Sequence, residues 1–292
     1  MAVYEHRYQA YEGRLTSHRR RFLVLPRYAW RELSRSRLFL ILMVASLICP
    51  LVYTILIYLH HNVNALAAFG ISADQVLPID AAFFRVFVGV QTLLALLVSV
   101  LIGPTLISPD LVHNALPLYL CRPLTRGEYL LGKMVVWVVL LSAITWVPGE
   151  LIFLFQVFLG GWEWLLGEGQ KGWIAGAIFL SSMAWILVLT VLALAWSAWL
   201  RWRVIASGAF FALFVIPFPF GMVILELFET RIGFGLNLAM ALDAIRHGLF
   251  GTTSDIPVTL TMGEGWLVWG GYCLVALWML SRRVRAYEVI TS

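Results

Sequence analysis

Charge is scarce in this sequence. Charged residues fill only 13% of its 292 positions, against 61% apolar ones. Water-soluble domains run at about a quarter charged and half apolar, so a soluble globule of this size would have no way to cover its apolar surface. Cysteine is rarer still: the three present, Cys49, Cys121 and Cys273, lie far apart. They exclude a disulfide framework and a Cys-based zinc site, and buried or reduced thiols are expected. A phosphate-binding loop of the form G-x-x-x-x-G-K-[ST] is missing as well. Gly132-Lys133 is followed by Met134 and leads straight into an apolar run, so no ATP chemistry is expected in this chain. A cleaved leader is not expected either. The first 37 residues are polar and basic, and the first apolar run is long enough to stay in a membrane.

What the sequence does have is long apolar runs. Crossing a hydrocarbon core of about 30 Å takes about 20 helical residues. Six runs qualify: 38–59, 86–107, 134–159, 173–199, 204–225 and 265–281. Five carry no charge, and the third carries only Glu150. They are too continuous for barrel strands, and helices are the remaining way to satisfy backbone groups in lipid. The expected fold class is therefore all-α, a polytopic membrane protein with a six-helix transmembrane domain over 38–281.

Lysine and arginine set the orientation. Nine arginines precede the first run, and the connection to the third run holds Arg122, Arg126 and Lys133. Adding Arg201, Arg203, Arg282, Arg283 and Arg285 puts 17 of the 21 basic residues on one side. By the positive-inside rule that side is cytoplasmic and holds both termini, residues 1–37 and the tail 282–292. With the charge so distributed, the net +5 points to anionic membrane lipids and not to nucleic acid.

Two amphipathic helices are expected besides the spans. After Pro26, Arg27, Arg31 and Arg35 recur every four residues among Ala29, Trp30 and Leu33, which suits a helix resting on the inner leaflet. Residues 233–250 are fairly apolar and carry Asp243, Arg246 and His247, which share one helical face. A seventh span there would put the basic tail outside, so a helix lying on the outer surface is expected instead.

The connection 108–133 is longer than a plain loop. Ser108 and Asp110 are candidate helix caps, and Thr125 with Glu128 has the spacing of a capping box opening the third span. It reads either as a short interfacial linker or as a docking element for a cytoplasmic partner.

This stretch carries a resemblance. Asp110, then Leu116, Leu118 and Leu120, then Arg122-Pro123-Leu124-Thr125-Arg126, Tyr129 and Gly132-Lys133 resemble the permease subunits of the type-2 ABC-transporter family. Tyr8, Tyr11-Glu12-Gly13, residues 27–39 and 282–289 are similar to one branch of it, and with the six-span layout the resemblance covers nearly the whole chain. The chain departs from the family pattern at Leu111, Val112, His113 and Asn114, where charged residues or a glycine are common.

The resemblance implies a bacterial inner-membrane exporter subunit. It would pair with an identical or related permease chain and two copies of a separate ABC ATPase, which would hold ATP and magnesium. No cofactor is expected in this chain. Asp110, His113, Leu116, Leu118, Arg122, Pro123, Arg126 and Lys133 would form the region that couples to the ATPase. The second and fifth spans would border the substrate path, making Gln91, Thr92 and Ser99 candidate path residues.

Glu150, just after Pro148-Gly149, is a further path candidate, because an ionisable group at that depth is costly and commonly faces a protein interior or a wet path; pairing within the bundle is the alternative. Pro217 and Pro219 break the fifth span, as in helices that line pathways in some transporters. His60-His61 and the Asp243/His247 pair lack a third ligand for a metal. Tryptophans near span ends, among them Trp162, Trp164, Trp173, Trp199, Trp202 and Trp266, are expected as an interfacial belt. A membrane assembly or signalling protein that transmits an ATPase's force without moving a substrate would carry the same features.

Overall fold

The computed structural model describes residues 24–62, 78–103, 125–167, 169–200, 202–228, 231–253 and 260–283, and everything said below of the structure concerns these. They are helical, with no strand among them. In chain order the α-helices are α1 (Val24–Leu33), α2 (Arg37–His61), α3 (Ala81–Ile102), α4 (Arg126–Ile144), α5 (Trp146–Leu166), α6 (Trp173–Trp199), α7 (Arg203–Val215), α8 (Pro217–Phe228), α9 (Leu238–Phe250) and α10 (Met262–Arg283). A 3₁₀ turn, Arg231–Leu236, joins α8 to α9.

Five helical runs are long and apolar enough to cross a bilayer: Arg37–His61, Ala81–Ile102, Gly127–Leu166, Trp173–Trp199 and Val204–Phe228. The chain is thus an all-helical, multi-pass membrane protein. Where the sixth run was expected lies α10, a helix of 22 residues. At 1.5 Å per residue it is about 33 Å long, but three tryptophans, a tyrosine and four glycines make it less apolar than the other five.

Local chemistry fixes most helix ends. Ser36 caps α2, its side chain accepting from the Phe39 amide. Asp80 caps α3 in the same way through Phe83, which starts that helix five residues before the expected run and takes Arg85 into it. The expected capping box opens α4: the Thr125 hydroxyl accepts from the Glu128 amide at 3.2 Å, and a Glu128 carboxylate oxygen accepts from the Thr125 amide at 2.7 Å. Thr261 and Glu264 form an equivalent pair ahead of α10. That Thr-x-x-Glu signature is present in the sequence but was not among the caps expected from it.

The third crossing run is 40 residues long, about 60 Å of helix and twice a hydrocarbon core. It bends at Thr145, where α4 gives way to α5, and at Gly161, whose φ of 69° lies in the left-handed region that glycine adopts freely. The fifth run breaks where expected. Pro217 and Pro219 have no amide hydrogen to donate, so the helix stops at Ile216 and restarts as α8.

Burial ranks the crossing helices. In α6 the most apolar stretch is 78% buried within the protein, whereas in α2 it is 11% and in the α7–α8 run 17%. The α6 helix is the hub, and its many alanines and serines let neighbouring helices come close. Two cores form around it. One holds Phe39, Ile102, Trp137, Ala198 and Leu280; the other holds Ile57, Phe83, Phe153, Ile174 and Phe250. Since the first draws on the start of α2 and the ends of α3, α6 and α10, successive crossing helices run antiparallel. At that end α1 packs along α4.

Of the helix expected at 233–250, residues 238–250 are α-helical. Its C-terminal part, α9, packs into the bundle against α10, α6 and α3, burying Leu238, Ala241, Leu242, Ala244 and Ile245. Asn237 caps it through the Met240 amide at 3.1 Å, and Gly251, with φ 61°, ends it.

Candidate functional site

Where α9 meets α3, the bundle leaves a cavity of about 370 Å³. The α3 wall presents Val88, Gly89, Thr92 and Leu96; α6 supplies Ser181 and Trp185. Phe214 of α7 and Phe218 of α8 close another side, while Asn237, Asp243 and Arg246 bring polar groups from α9 and its cap. Of the lining residues, Leu93 and Phe218 are exposed.

Helical spacing assembles the polar end. Asp243, Arg246 and His247 are three and four residues apart on α9, and that face meets α3. Arg246 pairs with Asp243 through Nη2, and its Nη1 donates to the Thr92 hydroxyl oxygen at 3.4 Å. Thr92 in turn donates to the Gly89 carbonyl at 2.9 Å. His247 Nε2 lies 3.6 Å from the other Asp243 oxygen and 3.3 Å from Nη1 of Arg85, one turn along α3 from Gly89. Burial holds the His247 imidazole below its ordinary pKa, and the nearby Arg85 guanidinium acts in the same direction against the pull of Asp243.

Gly89 makes this arrangement possible. A Cβ at that position would lie 2.9 Å from Arg246 Nη1, so a larger residue would push the guanidinium away from α3. Trp185 ties the other wall down, its indole nitrogen donating to the Thr92 carbonyl at 2.6 Å. Trp269 makes the same kind of link from α10 to the Ala184 carbonyl at 2.7 Å. Trp164 and Trp199 also donate to backbone carbonyls of other segments, Ile79 and Met279. The tryptophans therefore tie segments together as well as sitting at helix ends.

The structure separates the candidate path residues. Thr92 lines the cavity, but Gln91, next to it and fully buried, turns to α2 and donates to the Ser46 carbonyl at 3.2 Å. Ser99 is buried and donates to the Ala95 carbonyl of its own helix. Glu150 is half-buried on α5, away from the cavity walls, and makes no hydrogen bond or ion pair among the described residues. Pro217 and Pro219 flank Phe218, which lines the cavity, without lining it themselves.

Of the coupling residues, Asp110, His113, Leu116, Leu118, Arg122 and Pro123 lie outside the described residues. Arg126 is the first residue of α4, and Lys133, two turns on, has its ammonium 5.8 Å from the centre of the Tyr129 ring.

Asp243 and Arg246 were legible as a polar helix face but not as part of a cavity. Nothing in the local pattern marked Ser181, Trp185 or Asn237. One signal for Arg246 was available: a cation in a mostly apolar 18-residue segment. Charge at membrane depth marks a functional position more often than not. An apolar hollow with a few converging polar groups is suited to binding a ligand. No family model matches this chain, and no curated protein matches it.

Proposed function

We propose that this chain is the permease subunit of an ATP-driven ABC exporter of the type-2 family, with α10 as a sixth span and both termini in the cytoplasm of a bacterial cell. The observation that carries the reading is the capped extension of the third crossing helix. Arg126 to Lys133 adds eight residues, about 12 Å, ahead of the apolar stretch, on the side that holds 17 of the 21 basic residues. The capping box gives this extension a rigid start, and α1 braces it. Such a lever is what a membrane subunit needs in order to take up motion from a separate motor.

Two copies of an ABC ATPase, holding ATP and magnesium, would press on residues 108–133, with Arg122 and Arg126 contacting the ATPase surface. The exposed apolar faces of α2 and α7–α8 are suited to lipid and to a second permease chain, identical or related. Closing of the ATPases would tilt α4 about the bend at Thr145 and change the spacing of the crossing helices.

The test is purification of the tagged chain from its native membrane. A subunit with a Walker A loop and vanadate-sensitive ATP hydrolysis is expected to accompany it. Charge reversal at both Arg122 and Arg126 is expected to abolish that association or uncouple hydrolysis from movement across the bilayer. Purification with no ATPase, or full coupling in the double variant, refutes the proposal.

A further inference from the structure

We infer that the cavity between α3, α6, α7–α8 and α9 is a binding site for a net-anionic amphiphile, whose phosphate or carboxylate head meets Arg246 and whose hydrocarbon tail leaves between Leu93 and Phe218. The inference is independent of ATP-driven transport, since it concerns what the chain itself binds.

Charge balance is the first argument. The groups facing one another between α3 and α9 are Arg85, Asp243, Arg246 and His247. With the imidazole neutral and accepting from Arg85, two guanidinium groups face one carboxylate. The cluster is one negative charge short, in surroundings where an unbalanced cation is costly.

Unused donors are the second. Nε of Arg246 and Nδ2 of Asn237 are buried and have no hydrogen-bond partner among the described residues, and both residues line the cavity. Nε of Arg85, a turn away, is in the same condition. Buried polar groups are nearly always paired, and guanidinium nitrogens can only donate. The missing partner is therefore an acceptor, and anionic oxygens supply the strongest ones.

Shape makes the ligand an amphiphile. Beyond the polar end the walls are Val88, Leu96, Trp185, Phe214 and Phe218, and the lining side chains of Leu93 and Phe218 are exposed. A small free anion would leave those walls without contact. Gly89 lies eight residues into α3, about 12 Å along the helix from Ala81, so the head would be drawn below the level of the helix end with its chain beside the bundle.

Trp185 allows the site to be read directly. The purified full chain in neutral detergent is titrated with phosphatidylglycerol carrying brominated acyl chains, and tryptophan quenching is followed. Phosphatidylcholine with the same chains is the comparison, and inorganic phosphate is the competitor. Saturable quenching is expected with phosphatidylglycerol, with phosphatidylcholine at least about tenfold weaker because its head carries no net charge. W185F should lose most of the saturable signal. R246Q should bind at least about tenfold more weakly, and R246K within about threefold of the native protein.

Equal binding of the two lipids overturns the inference, as does unchanged affinity in R246Q. Displacement by inorganic phosphate alone at millimolar concentration would assign the site to a free anion and refute the amphiphile. If R246Q does not fold, the comparison of the two lipids on the native chain still decides.

Discussion

Asp243→Asn is the substitution that tests the polar end of the cavity most directly. Asparagine keeps the shape of the side chain but removes its charge, so Arg246 loses its counter-ion while Arg85 stays nearby. The side chains of Arg246 and Asp243 are 20% and 30% exposed, so the pair is neither a surface ion pair nor a fully buried one. Surface pairs contribute about 0–1 kcal/mol. Removing one member of a fully buried pair costs about 3–5 kcal/mol. The exposure puts Asp243→Asn between these, at about 1–3 kcal/mol. Arg246→Gln should cost less, because Arg85 remains near the carboxylate to balance its charge.

The diagnostic quantity is the double variant. With both charges gone, neither residue strands the other, and a neutral amide pair can form. The double loss should fall short of the sum of the singles by about 1–2 kcal/mol. For a chain this long, about 1 kcal/mol corresponds to a Tm shift of about 2 °C, within reach of thermal unfolding in detergent. If the two losses add within about 0.5 kcal/mol, the residues act independently and the pairing at the cavity is wrong.

Other outcomes follow from particular contacts. Thr125→Ala should cost about 1 kcal/mol of helix stability, and Glu128→Ala should add little to it because the two side chains act as one box; hydrogen exchange at the start of α4 reads both. Gly265→Ala places a Cβ 2.6 Å from the Ala241 carbonyl oxygen, and backbone cannot yield as a side-chain tip can. Separation of α9 from α10 should lower stability by about 1–3 kcal/mol, measured by thermal unfolding, whereas Gly270→Ala, with open space around it, should change little. Single cysteines placed at Gly127 and Arg282 in a cysteine-free chain should react with an impermeant maleimide from the same side of the membrane; labelling from opposite sides refutes α10 as a crossing helix.

The length and apolarity of the crossing helices were legible in the sequence, because in lipid the rule that backbone groups must pair within the segment leaves little else for an apolar run to do. Run 173–199 matches α6 end to end, Thr125 and Glu128 close the expected box, and Pro217 and Pro219 interrupt the fifth run. Each of these depends on residues within a few positions of one another. Local chemistry determines them.

Neighbours in space decided the rest. Gln91 and Thr92 are adjacent on one helix, so the sequence treats them alike, yet a rotation of about 100° per residue sends one to Ser46 and the other to the cavity. Residues 233–250 balance apolar and charged groups, a composition that fits a helix on the surface or one inside the bundle. In the structure α9 packs against α3, α6 and α10, and the glycine at position 89 admits a guanidinium from 157 residues further along the chain. No window of sequence contains that contact; only packing brings the two positions together.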